Sequence, residues 1–117
     1  MADITIKAAY GSVVEDEGFL FIGFAEGEEE DEGYVLFRQP MGGGPVWFEV
    51  NDEGFGAEDA VETVVRGPKG LEITLKPALS PRFGWASSVA VRIGPGTEDA
   101  GEALEALALM LGARFRA

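Results

Sequence analysis

The chain contains no cysteine and no histidine among its 117 residues. Without cysteine there can be no disulfide, no thiolate nucleophile and no zinc site that uses sulfur ligands. Without histidine there can be no Ser-His-Asp triad and no acid-base catalysis by an imidazole. Because these groups carry much of enzyme chemistry and metal binding, we expect neither an enzyme nor a protein with a metal or another cofactor.

Basic residues are also scarce, with 9 Lys and Arg against 21 Asp and Glu and a formal net charge of -12. Binding to nucleic acid or to an anionic membrane requires a basic surface, so neither is expected. No apolar run approaches the roughly 18 residues of a membrane span, and no signal-peptide core is visible, which predicts a cytoplasmic protein. The 46% of hydrophobic residues are enough for one core, and the length predicts a single domain over residues 1–117.

The acidic residues are concentrated in the N-terminal half of the chain. Residues 1–65 have a net charge of -14, whereas residues 66–117 have a net charge of +2. Nine of the acids lie within residues 15–32, without the spacing of a calcium-binding loop, so no metal site is predicted there. Two interpretations stay open: the acids keep a small protein soluble, or their field attracts a cationic partner.

Alternation of polar and apolar residues predicts about seven strands between residues 3 and 93. The strands are expected at residues 3–10, 19–25, 34–39, 46–51, 61–66, 71–76 and 85–93. The intervening segments 11–18, 26–33, 51–59 and 77–84 are rich in Gly, Pro or acidic residues and are expected to be turns or loops. In the first of them, Val13 and Val14 leave open the alternative that strand pairing continues.

The apolar period changes to about 3.6 near the C-terminus, which predicts one helix at about residues 98–111. Thr97 is expected to cap its N-terminus and Gly112 to end it. Strands followed by a terminal helix predict an α+β domain, in which a mainly antiparallel sheet of about seven strands carries the C-terminal helix on one face. The residues of the helix that are expected to face the sheet are Ala100, Ala103, Leu104, Leu107, Ala108 and Leu111.

The predicted strand 46–51 holds the most informative candidate site. Its apolar residues alternate with Trp47, Glu49 and Asn51, which therefore share the face away from the core. An aromatic residue beside a carboxylate is typical of a protein interface, but a helix over that face would make Trp47 part of the core. Tyr34, on a neighbouring strand, extends the patch. The candidate partner-binding residues are Glu28, Glu29, Glu30, Asp31, Tyr34, Trp47, Glu49 and Asn51, and no residue is predicted to be catalytic.

Several short apolar and acidic motifs occur along the chain: Val14-Glu15-Asp16-Glu17-Gly18-Phe19, Ile22-Gly23-Phe24-Ala25, Tyr34-Val35-Leu36-Phe37-Arg38, Trp47-Phe48-Glu49-Val50-Asn51-Asp52 and Leu71-Glu72-Ile73-Thr74-Leu75. Together they resemble the motifs of small bacterial immunity proteins in polymorphic-toxin systems, namely immunity protein family 10. The resemblance covers roughly residues 4–111, and the chain departs from it at Glu53, near which a Gln is expected. It implies a non-catalytic α+β protein that neutralises a toxin encoded beside it.

Composition and resemblance together predict an intracellular immunity protein that binds a basic surface of its cognate toxin in a stoichiometric complex. The alternative is a non-catalytic structural or accessory domain that forms a homodimer through exposed strand edges. An enzyme that uses carboxylates alone is a more distant possibility.

Overall fold

The computed structural model describes residues 2–29 and 31–117. Within these residues the chain forms ten strands and one α-helix, so the predicted α+β class is confirmed. The strands are β1 (Ile4–Lys7), β2 (Tyr10–Asp16), β3 (Phe19–Ala25), β4 (Tyr34–Pro40), β5 (Trp47–Val50), β6 (Asp52–Glu58), β7 (Val61–Gly67), β8 (Gly70–Leu75), β9 (Ser88–Arg92) and β10 (Phe115–Arg116). The helix α1 spans Ala100–Leu111.

The expectation of a single sheet of about seven strands is wrong, because the strands divide into two sheets of five. The first, which we term the meander sheet, holds β2 to β6 in chain order, each antiparallel to the next. The second, the mixed sheet, has the order β1-β9-β8-β7-β10, and both of its outermost strands pair in parallel. Parallel neighbours come from distant parts of the chain, and local alternation carries no information about them.

One hydrophobic core joins both sheets and the helix. The predicted docking of α1 is confirmed, because Leu104, Leu107 and Leu111 are all buried. The helix packs closely on β2, where a Cβ at Gly11 would lie 2.9 Å from the Cβ of Ala103. The largest fully buried side chains of the core are Phe24, Phe37, Phe48, Phe83, Ile6, Ile22, Ile73, Leu75 and Leu107.

Two segments that were expected to be turns are strands of the meander sheet. Residues 11–16 continue β2, where Val13 packs against the core while the acids beyond it stay exposed. Residues 52–58 form the edge strand β6, whose glycines suggested a turn. Gly56 has a packing role there, since a Cβ would lie 2.8 Å from Trp47 Cζ2 and from the Phe48 carbonyl oxygen. Glycine thus marks a close approach within a strand at this position.

The C-terminal half also differs from the expectations in detail. The expected loop at 77–84 contains a 3-10 helix, Pro77–Phe83, and Trp85 lies outside β9 with a φ of 69°. The helix begins after Asp99, and Thr97 does not cap it. Instead, Thr97 Oγ1 accepts from the Gly94 N–H and donates to the Ala8 carbonyl, both over 3.0 Å. The two-residue strand β10 is too short to produce a recognisable alternation.

Candidate functional site

The face of the meander sheet that points away from the core, here called the outer face, carries an aromatic and aliphatic surface. In one row of registered neighbours, Phe21 on β3 lies beside Arg38 on β4, which lies beside Trp47 on β5. Trp47 is half-buried and does not belong to the core cluster. Since α1 packs on the core side of β2, the interpretation in which the helix covers Trp47 is wrong. The most exposed apolar side chains of this face are Val14 and Phe19, at 50% and 37%.

Glu49 connects two of the aromatic side chains of this face. Its side chain is buried, with the residue only 5% exposed, and both carboxylate oxygens accept hydrogen bonds. The Trp47 indole N–H donates to Oε1 over 2.8 Å, and the Tyr34 hydroxyl donates to Oε2 over 2.5 Å. A buried carboxylate is tolerated when such donors satisfy it. Glu49 therefore fixes the orientation of Trp47 and Tyr34, and its own oxygens are occupied.

The same environment raises the pKa of Tyr34. Burial is the main cause of the rise above the ordinary value of 10.0, and the hydrogen bond to Glu49 and the charge of that carboxylate act in the same direction. A tyrosine is already protonated at physiological pH, and the raised pKa extends the range in which Tyr34 donates its hydrogen bond to more alkaline pH. The sequence analysis placed Tyr34, Trp47 and Glu49 in one patch, and the structure brings these three side chains into contact.

Asn51 has a different position from the one expected. It follows the end of β5 with a φ of 64°, in the left-handed region that Asn tolerates better than most residues. Its side-chain Oδ1 accepts from the Tyr34 N–H over 3.0 Å, and its own N–H donates to the Tyr34 carbonyl over the same distance. Asn51 thus holds the start of β4 at the β5–β6 corner, directly beside Tyr34.

Arg38 is a residue of the outer face that the sequence analysis did not select. Its guanidinium lies 5.1 Å from the Trp47 ring centroid and 5.6 Å from that of Phe19. Such stacking is favourable because the aromatic faces carry negative charge density. The feature of the sequence that distinguishes Arg38 is its charge, because it is one of only two basic residues among the first 65. That signal does not name a partner, and only the strand register shows the aromatic side chains beside Arg38.

A depression, which we term the trough, lies beside Tyr34 on the outer face. The strand β3, which lies between β2 and β4, presents only Gly23 and Ala25 there, whereas its two neighbours carry larger side chains. The resulting cavity has a volume of about 370 Å³. The walls of the trough come from the residues of β2 and β4 that pair with this floor. Ser12 and Leu36 lie on either side of Gly23, and Tyr10 and Tyr34 lie on either side of Ala25.

Residues 26–33, the acidic loop, connect β3 to β4 at one end of the trough, as the sequence predicts. The base of the loop is held by Glu26, whose carboxylate accepts from the Lys7 N–H over 2.8 Å and the Gly33 N–H over 3.1 Å. Glu32 folds back over Gly27, in the space that a Cβ at that glycine would occupy. Glu28, Glu29 and Glu32 line the rim of the trough, and Asp31 is exposed. Glu30, also predicted to bind the partner, lies outside the described residues.

The comparisons with known proteins add no relative: no family model, no curated protein and no solved structure matches this chain. In the part of the chain that the structure describes, no helix is long and apolar enough to cross a membrane. Among the same residues, no three Asp or Glu side chains are grouped so that they could hold a metal ion.

Proposed function

We propose that this chain is an immunity protein, which neutralises a cognate bacterial toxin by binding it in a stoichiometric complex. The toxin would meet the outer face of the meander sheet and the acidic loop beside it. The observation that carries the proposal is the Trp47–Glu49–Tyr34 network, a hydrogen-bonded aromatic group on a sheet face that α1 leaves uncovered. The motifs that resemble immunity protein family 10 support the same function.

The outer face has the composition of a binding surface. Trp, Tyr and Arg are the residues most enriched among those that dominate binding energy, and all three occur on this face. Tyr34 and Trp47 both bond to Glu49, and Arg38 stacks on Trp47. Their orientations are already set by Glu49 and by the stacking of Arg38 on Trp47. A surface held in its binding geometry loses less conformational entropy when a partner docks. These features suit a stable, slowly dissociating complex.

The charge of the chain indicates the kind of toxin. A net charge of -12, with its densest acids in residues 15–32, attracts a basic protein surface and speeds association. Toxins that attack nucleic acids need such a basic surface to bind phosphates. An acidic protein that occupies this surface blocks access to the substrate without any catalysis. We therefore propose a toxin with a basic active-site surface as the partner.

The alternative, a homodimer formed by strand edges, receives less support from the strands that the structure describes. The edge strand β6 carries the acids Asp52, Glu53 and Glu58, and identical charges would face one another in a symmetric pair. The other edge of the meander sheet, β2, ends in Glu15 and Asp16. In the mixed sheet the edge strands β1 and β10 have only four and two residues. Charged or very short edges are the usual protection against edge pairing.

The decisive experiment uses a toxin gene encoded next to this chain. We expect the toxin domain alone to arrest growth, co-expression of this chain to restore it, and light scattering to show a 1:1 complex of the purified proteins. Trp47→Ala is expected to lose protection, whereas Trp85→Ala, at a tryptophan that is 76% exposed and outside the site, keeps it. Protection without a complex, or a complex that Trp47→Ala leaves unchanged, would contradict the proposal. Growth arrest that persists despite soluble, folded protein would contradict it as well.

A further inference from the structure

The trough has the width of a single side chain. Neighbouring strands lie roughly 4.8 Å apart, so β2 and β4 are separated by about 9.5 Å across the floor of Gly23 and Ala25. A helix with its side chains needs about 10–12 Å and cannot enter such a space. The floor carries no side chain larger than a methyl group, and it is flanked by Tyr10 and Tyr34 beside Ala25. An extended, largely apolar stem therefore fits the trough.

Aromatic rings form the walls at the end where the acidic loop begins. Tyr34 is held in place by its hydrogen bond to Glu49. Tyr10 lies on the other side of Ala25 in the same row. Two aromatic rings beside a narrow floor attract a delocalised cation, because the faces of the rings carry negative charge density.

Carboxylates complete the rim at the same end, because the acidic loop leaves β3 directly after Ala25. Glu28, Glu29 and Glu32 line the cavity. Within residues 2–29 and 31–117, none of these three forms a salt bridge, since both ion pairs of this part of the chain involve Asp59. Their oxygens are therefore available to accept hydrogen bonds from a cationic group that enters between the tyrosines.

We infer that the trough is a docking site for one arginine side chain of the partner protein. The floor takes the methylene stem, the tyrosines flank the guanidinium, and the rim carboxylates accept its N–H groups. Arginine suits the site better than lysine because its planar cation stacks on aromatic rings, is more weakly hydrated and can bond two carboxylates at once. This assignment depends on the proposed function for the origin of the arginine, but the chemistry of the site can be tested without a toxin.

The test is a titration of the isotope-labelled chain, followed by nuclear magnetic resonance of the backbone amides. The probe is N-acetyl-arginine methylamide, and its neutral isostere N-acetyl-citrulline methylamide is the control. We expect saturable chemical-shift changes at the amides of Gly23 and Ala25 with the arginine probe. The citrulline probe should bind at least roughly tenfold more weakly, because it lacks the cation.

Two pairs of variants separate the trough from the general charge of the protein. Ala25→Leu fills the floor and is expected to abolish the shifts, whereas Ala90→Leu, the same change on the outward side of β9 in the mixed sheet, leaves them intact. Combined Glu28→Gln, Glu29→Gln and Glu32→Gln should weaken probe binding about tenfold. The control variant removes the same charge at the β2–β3 turn, by Glu15→Gln, Asp16→Asn and Glu17→Gln. It should change the affinity for the arginine probe by less than twofold. Thermal melts confirm that each variant is folded.

The assignment is overturned if Gly23 and Ala25 show no saturable shift, if citrulline binds as well as arginine, or if both charge variants weaken binding equally. Its failure is distinct from a failure of the proposed function. A chain that binds the arginine probe in the trough but forms no complex with the toxin contradicts only the immunity function. A chain that protects cells but does not bind the probe contradicts only the trough.

Discussion

At the scale of one residue, the buried carboxylate of Glu49 orients two aromatic side chains of the outer face. A buried carboxylate is unfavourable on its own, but here the Trp47 indole and the Tyr34 hydroxyl satisfy it. The benefit is a fixed aromatic surface. The charge also acts on Tyr34, whose pKa is raised first by burial and then by the hydrogen bond and the charge of Glu49.

Two substitutions of Glu49 separate its contributions. Glu49→Ala leaves the Trp47 and Tyr34 donors without an acceptor and should lower the free energy of unfolding by about 2 kcal/mol. Glu49→Gln keeps one acceptor for Trp47 and can donate to the Tyr34 oxygen, so its cost should stay below about 1 kcal/mol. Because the negative charge is gone, the Tyr34 pKa should fall in Glu49→Gln. Urea unfolding and ultraviolet titration of the tyrosines measure both effects, and an unchanged Tyr34 titration would show that Glu49 does not act on it.

At the scale of elements, α1 is held to the sheets by the leucines on its inner side. Leu107 is fully buried, whereas Leu109, two residues further on, is 87% exposed. Leu107→Asp would bury an unpaired charge and should lower the free energy of unfolding by about 3–5 kcal/mol. Leu109→Asp introduces the same charge on the same helix and should change it by less than about 0.5 kcal/mol. Equal urea midpoints for the two variants would mean that α1 is not docked as described.

A second contact between elements involves Asp59, which follows β6. Its carboxylate lies 2.9 Å from Lys76 Nζ and 3.7 Å from Arg114 Nη1. The hydrogen bond and charge of Lys76 lower the Asp59 pKa below its ordinary value of 3.8. Because the pKa is lower in the folded state, the charged Asp59 carboxylate stabilises the fold at any pH above its ordinary pKa. This contribution to the free energy of unfolding is lost as the pH falls through the lower pKa of the folded state.

Asp59→Asn tests this linkage, and asparagine also accepts the φ of 57° at this position. Because the pair is largely exposed, the difference in unfolding free energy between wild type and variant should be below about 1 kcal/mol at neutral pH. The difference should disappear as the pH is lowered past the folded-state pKa of Asp59. A difference that grows on acidification would mean that Asp59 is not stabilised in its charged form.

At the scale of the whole molecule, the uneven charge and the outer face should control different steps of binding. The acidic field acts at long range and is screened by salt, whereas the aromatic contacts form only after the surfaces meet. Association should therefore respond to the acids, and dissociation to Trp47. This separation is a consequence of the proposed function.

Surface-plasmon kinetics against the cognate toxin measure the two steps. Glu28→Gln combined with Glu29→Gln, Glu30→Gln and Asp31→Asn should lower kon and flatten its dependence on salt. Trp47→Ala should mainly raise koff, by roughly 30-fold, which corresponds to about 2 kcal/mol. Circular dichroism controls for folding, since a half-buried tryptophan also contributes to stability. If kon is unchanged after the loop is neutralised, the acids serve solubility alone.

Local periodicity was sufficient to identify most of the elements from the sequence. The strands β3, β4, β7 and β8 and the helix α1 lie within two residues of their expected positions. The failures have a common cause. In β6, one of the glycines that suggested a turn, Gly56, is required by the packing of Trp47 over it, which is a contact between strands. Sequence patterns describe a segment's own preferences and do not describe its neighbours.

What the sequence alone determined is therefore local or additive. The uneven charge, the lack of Cys and His chemistry, the α+β class and the leucine stripe of α1 all follow from composition or short-range spacing. Only the tertiary structure decided how the strands divide into two sheets, because strand pairing depends on contacts distant in the chain. The same holds for the site. Tyr34 meets Glu49 across 15 residues, and the trough exists because the register of β2, β3 and β4 places large side chains on both sides of Gly23 and Ala25.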